Sequence, residues 1–225
     1  MDWDWGFAWQ ILPTLLEGAK ITIIATLLGF VLAAVAGLIL AVLRRSKTQM
    51  VCVPAKAFVE FVRGTPLLVQ LYFLFYILPD AGLTLPPLVA GVIGLGLHYA
   101  TYTSEVYRAG IENVPRGQWE AAKACNLTVR QTWLHVIFPQ AILPMIPALA
   151  NYLIAMFKET PLLSAITVLE LMNQARSIAN YNYRYLEPIT LVGVFFLVIS
   201  LISVIGIKYL ERRFGAGAGR GRALS

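Results

Sequence analysis

Five long runs of the chain carry no charge: Ile21–Leu43, Gly64–Pro79, Ala81–Ser104, Gln131–Phe157 and Pro188–Ile207. A helix that crosses the hydrocarbon core needs about 20 apolar residues. Four runs reach that length. The Gly64–Pro79 run is short, so its helix is expected to begin near Phe58, with Glu60 and Arg63 three apart on one face at the interface. The pattern predicts an all-α membrane protein of about five spans, near 14–43, 58–79, 83–107, 131–157 and 187–209, in a single transmembrane domain.

Finer features refine this. Ala25, Gly29, Ala33, Gly37 and Ala41 recur every four residues and form a small-residue stripe for close helix packing. Pro139, Pro144 and Pro147 predict a broken or hinged start to the fourth span. Thr160–Leu169 is uncharged but too short to cross, and suits a re-entrant or interfacial helix. Residues 214–225 are rich in glycine and alanine and are expected to form a flexible tail.

Composition agrees. Of 225 residues 58% are hydrophobic and 13% charged, too few charges to coat a soluble globule of this length. The acidic start Met1-Asp2-Trp3-Asp4-Trp5 is unlike a secretion signal, so the first span is expected to be retained. Odd-numbered spans put the termini on opposite sides. With the C-terminus inside, the cytoplasmic segments hold Arg44, Arg45, Lys47, Lys56, Arg63, Arg108, Arg116, Lys123, Arg130, Lys208, Arg212, Arg213, Arg220 and Arg222, most of the 18 basic residues. The positive-inside rule therefore gives N-out, C-in. The net charge of +6 is then an orientation signal and calls for no nucleic-acid partner. Cys52 and Cys125 fall on the reducing side, without metal-ligand spacing.

The loop at about 108–130 carries the most chemistry. Pro115 and Gly117 end one helix, and residues 118–125 form a short second one. Asn126 stands where a left-handed stop is needed. Thr128 and Gln131 form a capping box for the next helix. Arg116, Glu120 and Lys123 share one face, which suits docking to a cytoplasmic partner.

These residues carry a resemblance. Glu120-Ala121-Ala122, Asn126 and Val136-Ile137-Phe138-Pro139 resemble the EAA loop of ABC-importer permeases in spacing throughout. Asn126 replaces the family's Gly, Val136 its Ile and Phe138 its Leu, all mild changes. Phe61–Gln70, Glu105–Ile111, Pro115–Gln118 and Lys158–Leu162 are similar to segments of polar amino-acid permeases. The likeness runs over about residues 13–212. Within it, Leu71–Tyr76, Gly94–Ser104 and Lys158–Glu170 resemble ectoine and hydroxyectoine permease subunits.

The resemblance implies a type I ABC-importer permease fold in the bacterial cytoplasmic (inner) membrane. It implies a second permease subunit, same or related, a dimer of ATP-binding cassette subunits and an extracytoplasmic solute-binding protein, with membrane lipid around them. No cofactor would bind this chain directly, and ATP would be used by the partner subunit. The chain accordingly lacks a Gly-x-x-x-x-Gly-Lys-Ser/Thr phosphate loop. ATPase coupling would fall to Arg116, Gly117, Glu120, Ala121, Ala122, Lys123 and Asn126, with the two alanines permitting close approach.

Lys158, Glu159, His98, Gln70 and Asn151 are candidates for the solute pathway or its gate. Lys158 and Glu159 would meet the charges of a zwitterion, or anchor the helix end as an ion pair. His98, Gln70 and Asn151 would line the pathway, or hydrogen-bond a neighbouring helix. A self-powered secondary transporter or channel is the alternative class; it accounts for the spans but not for the Glu-Ala-Ala loop.

Overall fold

A computed structural model describes residues 2–214. All regular structure among the described residues is helical. The helices are α1 (Trp5–Arg44), α2 (Gln49–Gly64), α3 (Leu67–Tyr72), α4 (Pro87–Glu112), α5 (Arg116–Ala124), α6 (Val129–Gln131), α7 (Phe138–Glu159), α8 (Leu171–Asn182) and α9 (Leu186–Phe214). A π turn, Phe73–Ile77, and a 3-10 turn, Leu78–Ala81, continue α3. A second π turn, Thr132–Ile137, joins α6 to α7. The expected tail and Arg220 and Arg222 lie outside the described residues, save for Phe214 at the end of α9.

The stripe on α1 is buried, with Ala25 and Ala33 fully covered. It packs on α4 closely enough for Thr103 Oγ1 to donate a hydrogen bond to Ala33 O at 2.8 Å. A Cβ at Gly37 would overlap Thr103 Oγ1 and come within 2.9 Å of Ala100 O. The glycines of α4 take side chains in return: Leu163 abuts Gly91, Leu71 Gly94 and Leu32 Gly96. Lipid tails are as apolar as leucine, so close packing and hydrogen bonds hold membrane helices together.

The direction of each helix follows from these contacts. Gly29 meets Leu95, Gly37 meets Ala100 and Arg44 reaches Glu105, so α1 and α4 run parallel. The α2–α3 pair must return the chain between them. Gly110 meets Met145 and Tyr99 meets Tyr152, so α7 runs back along α4. Phe157 packs on Phe195 and Phe196 of α9.

Among the described residues, three stretches are long and apolar enough to cross a membrane by themselves: Trp5–Arg44, Val129–Ile166 and Leu186–Tyr209. The bent pair α2–α3 adds one if it counts as a single span. The sequence suggests α4 as another, but its glycines, tyrosines, threonines and His98 lower its apolarity. It is instead the most enclosed helix, flanked by α1 and α7.

The second span departs from expectation. It is not one helix from Phe58: α2 ends at Gly64, and α3 leaves at 105°. Pro66 has no N–H and holds Thr65 extended, at φ −110° and ψ 139°, which ends the helix. Arg63 turns to Glu105 of α4, not to Glu60. The expected hinge near the prolines also moves, since the irregular turn precedes Pro139 while Pro144 and Pro147 sit inside a continuous α7. Thr160–Ile166 forms a buried 3-10 turn that ends at Thr167 in the left-handed region.

The short α8 has no counterpart among the expected elements. Glu170 caps it, accepting from Met172 N at 2.9 Å and Asn173 N at 2.7 Å. Leu171 N donates to Thr22 Oγ1, which seats α8 on α1. Glu170 is fully buried, and burial pushes its carboxyl up to about 7, against the pull of those N–H groups and of Arg176. Asp4, Arg184 and Glu187 tie the start of α1 to that of α9.

Two outcomes follow. Gly37→Ala should lower stability by about 1–3 kcal/mol through overpacking, whereas Gly193→Ala, with open space around it, should not; thermal unfolding in detergent measures both. The folded pKa of Glu170 lies above its ordinary 4.5, so the folded state holds the extra proton between 4.5 and about 7. Its stabilising share is complete below that window and lost as pH rises through it. Melting temperature should therefore fall across the window, and Glu170→Gln should flatten that part of the profile.

Candidate coupling helix and solute cluster

The loop expected to couple, about 108–130, is an ordered hairpin. Helix α4 runs on to Glu112, and Pro115 opens α5. Trp119 stacks edge-on against Trp133 at 5.3 Å, and Gln140 Nε2 donates to Gln118 Oε1 at 3.1 Å, so α5 is pinned to the start of α7. Asn126 is left-handed at φ 53°. Leu127 N bonds back to Ala122 O at 3.0 Å, closing the helix end. Thr128 and Gln131 make the capping box.

Arg116, Gly117, Glu120, Ala121, Lys123 and Asn126 are exposed. Ala122 is not: at 3% exposure it belongs to the inner face of α5, turned away from any partner. The helical register forces this, since Ala121 and Ala122 point about 100° apart. In the docking that the resemblance implies, close approach would therefore rest on Ala121. Cys125 is exposed and Cys52 half-buried.

The structure divides the pathway candidates. His98 lies in α4, 8% exposed, with Nδ1 3.3 Å from Gln70 Oε1. Gln70 Nε2 donates to Val62 O at 2.7 Å and to Thr65 O at 3.0 Å. It thereby fills the carbonyls that the Thr65–Pro66 break would orphan. Tyr99 and Tyr102 pack edge-on and tilted against His98, and Tyr152 packs in turn on both tyrosines. The Arg63 guanidinium lies over Tyr102, 5.2 Å from its centroid. Glu159 is half-buried and acts electrostatically on His98 and Tyr99. Its Oε2 is buried without a hydrogen-bond partner among the described residues.

Lys158 and Asn151 lie elsewhere. They are exposed and seven apart, hence on one outer face of α7, and Lys158 pairs with no carboxylate among the described residues. Lys158 and Glu159 are therefore not a mutual ion pair. An apolar groove of about 580 Å³ runs among Ile23, Leu27, Leu153, Ile154 and Ile199, and neither group lines it. Sequence reasoning missed Arg63, Tyr152 and the binding of Gln70 to the helix break. The Arg63-Gly64-Thr65-Pro66 run was the available signal, since a proline there leaves carbonyls to be satisfied.

Long apolar helices and a hairpin held at one end of the body are the build of a multi-pass membrane protein. The chain belongs to the family of binding-protein-dependent transport system inner membrane components, which it matches over residues 33–216. It is 45% identical over 214 residues to a probable amino-acid ABC transporter permease protein of Sinorhizobium fredii, covering 93% of each chain. It is 35% identical to the glutamine transport system permease protein of Escherichia coli, over 95% of this chain and 98% of that one. The crystal structure of an amino acid ABC transporter with histidines superposes with a TM-score of 0.88 at 34% identity, over 95% of this chain and 100% of that one. An inward-facing methionine ABC transporter shares the fold, with a TM-score of 0.71 at 18% identity over 94% and 99% of the two chains. This membership places the chain in the cytoplasmic membrane and sets aside the self-powered alternative.

Left-handed backbone at Asn126 gives a direct test. Asn126→Gly should leave thermal stability unchanged or raised, while Asn126→Val should lower it by about 1–2 kcal/mol.

Proposed function

We propose that this chain is one permease half of an ATP-driven importer for a polar or zwitterionic amino-acid-type solute. The observation that carries the proposal is α5, a rigid charged helix held out from the body by α4 and α7, with Arg116, Glu120 and Lys123 exposed. A dimer of ATP-binding cassette subunits grips this helix and supplies the energy. An extracytoplasmic solute-binding protein delivers the solute on the opposite side. A second permease subunit, same or related, covers the outer face of α7, where Asn151 and Lys158 are costly to leave against lipid.

The His98 cluster suits the solute. Tyrosine faces and the Arg63 and Glu159 charges offer partners to a cationic group, a carboxylate and an apolar stem. Gln70 has a structural task at the helix break and orients His98 from there. Relatives named for glutamine and for L-cystine support an amino-acid cargo, and ectoine is a further candidate within the same zwitterionic class.

The test is uptake by the assembled transporter in proteoliposomes, with glutamine, cystine and ectoine offered separately. Glu120→Ala should cut ATP-driven uptake by about tenfold or more, in line with typical coupling energies, while the chain still inserts. Unimpaired uptake by that variant would refute docking through Glu120.

A further inference from the structure

At the cytoplasmic ends of α1, α2 and α4, a single carboxylate gathers three arginines. Glu105 Oε1 accepts from Arg44 Nη2 at 2.7 Å and lies 3.6 Å from Arg63 Nη1. Its Oε2 takes Arg108 Nη2 at 2.8 Å and Arg108 Nε at 2.9 Å. Arg44 also donates to Ser104 Oγ at 3.1 Å, and Ser104 is fully buried. Glu112 shares Arg108 at 3.0 Å and reaches Arg45 at 3.9 Å. The side chains of Arg44 and Glu105 are only 11% and 26% exposed. Coupling-helix docking uses none of these contacts.

We infer that Glu105 is a positioning residue, the joint through which movement of α5 reaches the His98 cluster. The inference rests on the proposed docking of α5. Helix α4 is unbroken from Pro87 to Glu112, so it is a rod carrying His98 and Tyr102 and ending beside α5. Glu105 ties that rod to α1 through Arg44 and to the end of α2 through Arg63. Arg63 is the looser arm, at 3.6 Å and 37% exposed, and it also covers the Tyr102 ring. The preceding carbonyl, Val62 O, is the one that Gln70 binds, and Gln70 faces His98. Tilting the end of α4 therefore pulls on the α2–α3 bend and on the cluster together. Three guanidiniums around one carboxylate also repel one another, so neutralising Glu105 frees the Arg63 arm first. A coupling path needs an element with two arrangements that both sites bias, and the bend, held by Arg63 and Gln70, is that element.

The experiment uses the assembled transporter in proteoliposomes, measuring solute stimulation of ATP hydrolysis and solute moved per ATP. Glu105→Gln should keep basal hydrolysis and lose stimulation by about tenfold. Glu105→Asp should recover part of it. Read at saturating solute, Arg63→Gln should show the same loss of maximal stimulation, and adding Glu105→Gln to it should cause no further loss, as expected for partners in one interaction. Full stimulation in Glu105→Gln, or losses that multiply in the double variant, would overturn the inference. Should Glu105→Gln not assemble, Arg63→Gln decides when read at saturating solute: lost maximal stimulation supports the joint, and normal maximal stimulation with only the half-saturating concentration raised overturns it. A wild-type assembly without ATP-driven uptake would instead overturn the importer reading, and the joint with it.

Discussion

The close approach of α1 and α4 is the constraint on which the rest of the molecule depends. No hydrophobic effect draws two helices together once both are in lipid. The stripe from Ala25 to Ala41 brings the backbones near enough for Thr103 to reach Ala33 O. Because these two helices run parallel, the chain must fold back between them, and that requirement produces the α2–α3 return. The remaining helices are placed against this pair: α7 along α4, α8 on Gly18 and Thr22 of α1, and α9 against α7 and α8.

Buried and half-buried carboxylates in such a body need partners, and three are neutralised in different ways. Glu187, 1% exposed, takes Arg184 and Asp4 N, joining two helix starts. Glu170 has backbone N–H groups at a helix start and keeps a raised proton affinity. Glu105 collects three guanidiniums. A polar group inside a membrane protein is tolerated only when satisfied within the protein, so each carboxylate also records which helices must stay together. Glu159 departs from this, with an Oε2 that is buried without a hydrogen-bond partner among the described residues.

Much of this was legible in the sequence because it depends on local rules. The small-residue stripe, the left-handed stop at Asn126 and the Thr128–Gln131 cap each follow from spacing over a few residues. So does the exposed face of Arg116, Glu120 and Lys123. What escaped depends on distance in the chain. Helical spacing placed Arg63 on one face with Glu60, and said nothing of Glu105, which the break at Thr65–Pro66 brings within its reach. Ala121 and Ala122 are equivalent as letters, and only the Trp119–Trp133 packing decides that Ala122 turns inward. Helix α8 was hidden because its cap is a buried Glu and its seat is a residue of α1, 149 positions earlier.

The bend between α2 and α3 has a consequence for the membrane itself. With α2 turned aside, the return leg is the stretch from Leu67 to Ala81, about 22 Å at 1.5 Å per residue. The hydrocarbon core is about 30 Å thick. The uncharged run of α1, Ile21–Leu43, is by contrast 23 residues long, about 35 Å by the same rise. The return leg is therefore hydrophobically undersized while α1 is not. Lipid beside α3 must thin, at a cost that scales with the mismatch. Bilayer thickness thus becomes a load on the bend, and the lipid composition of the cell bears on how readily that bend changes its angle.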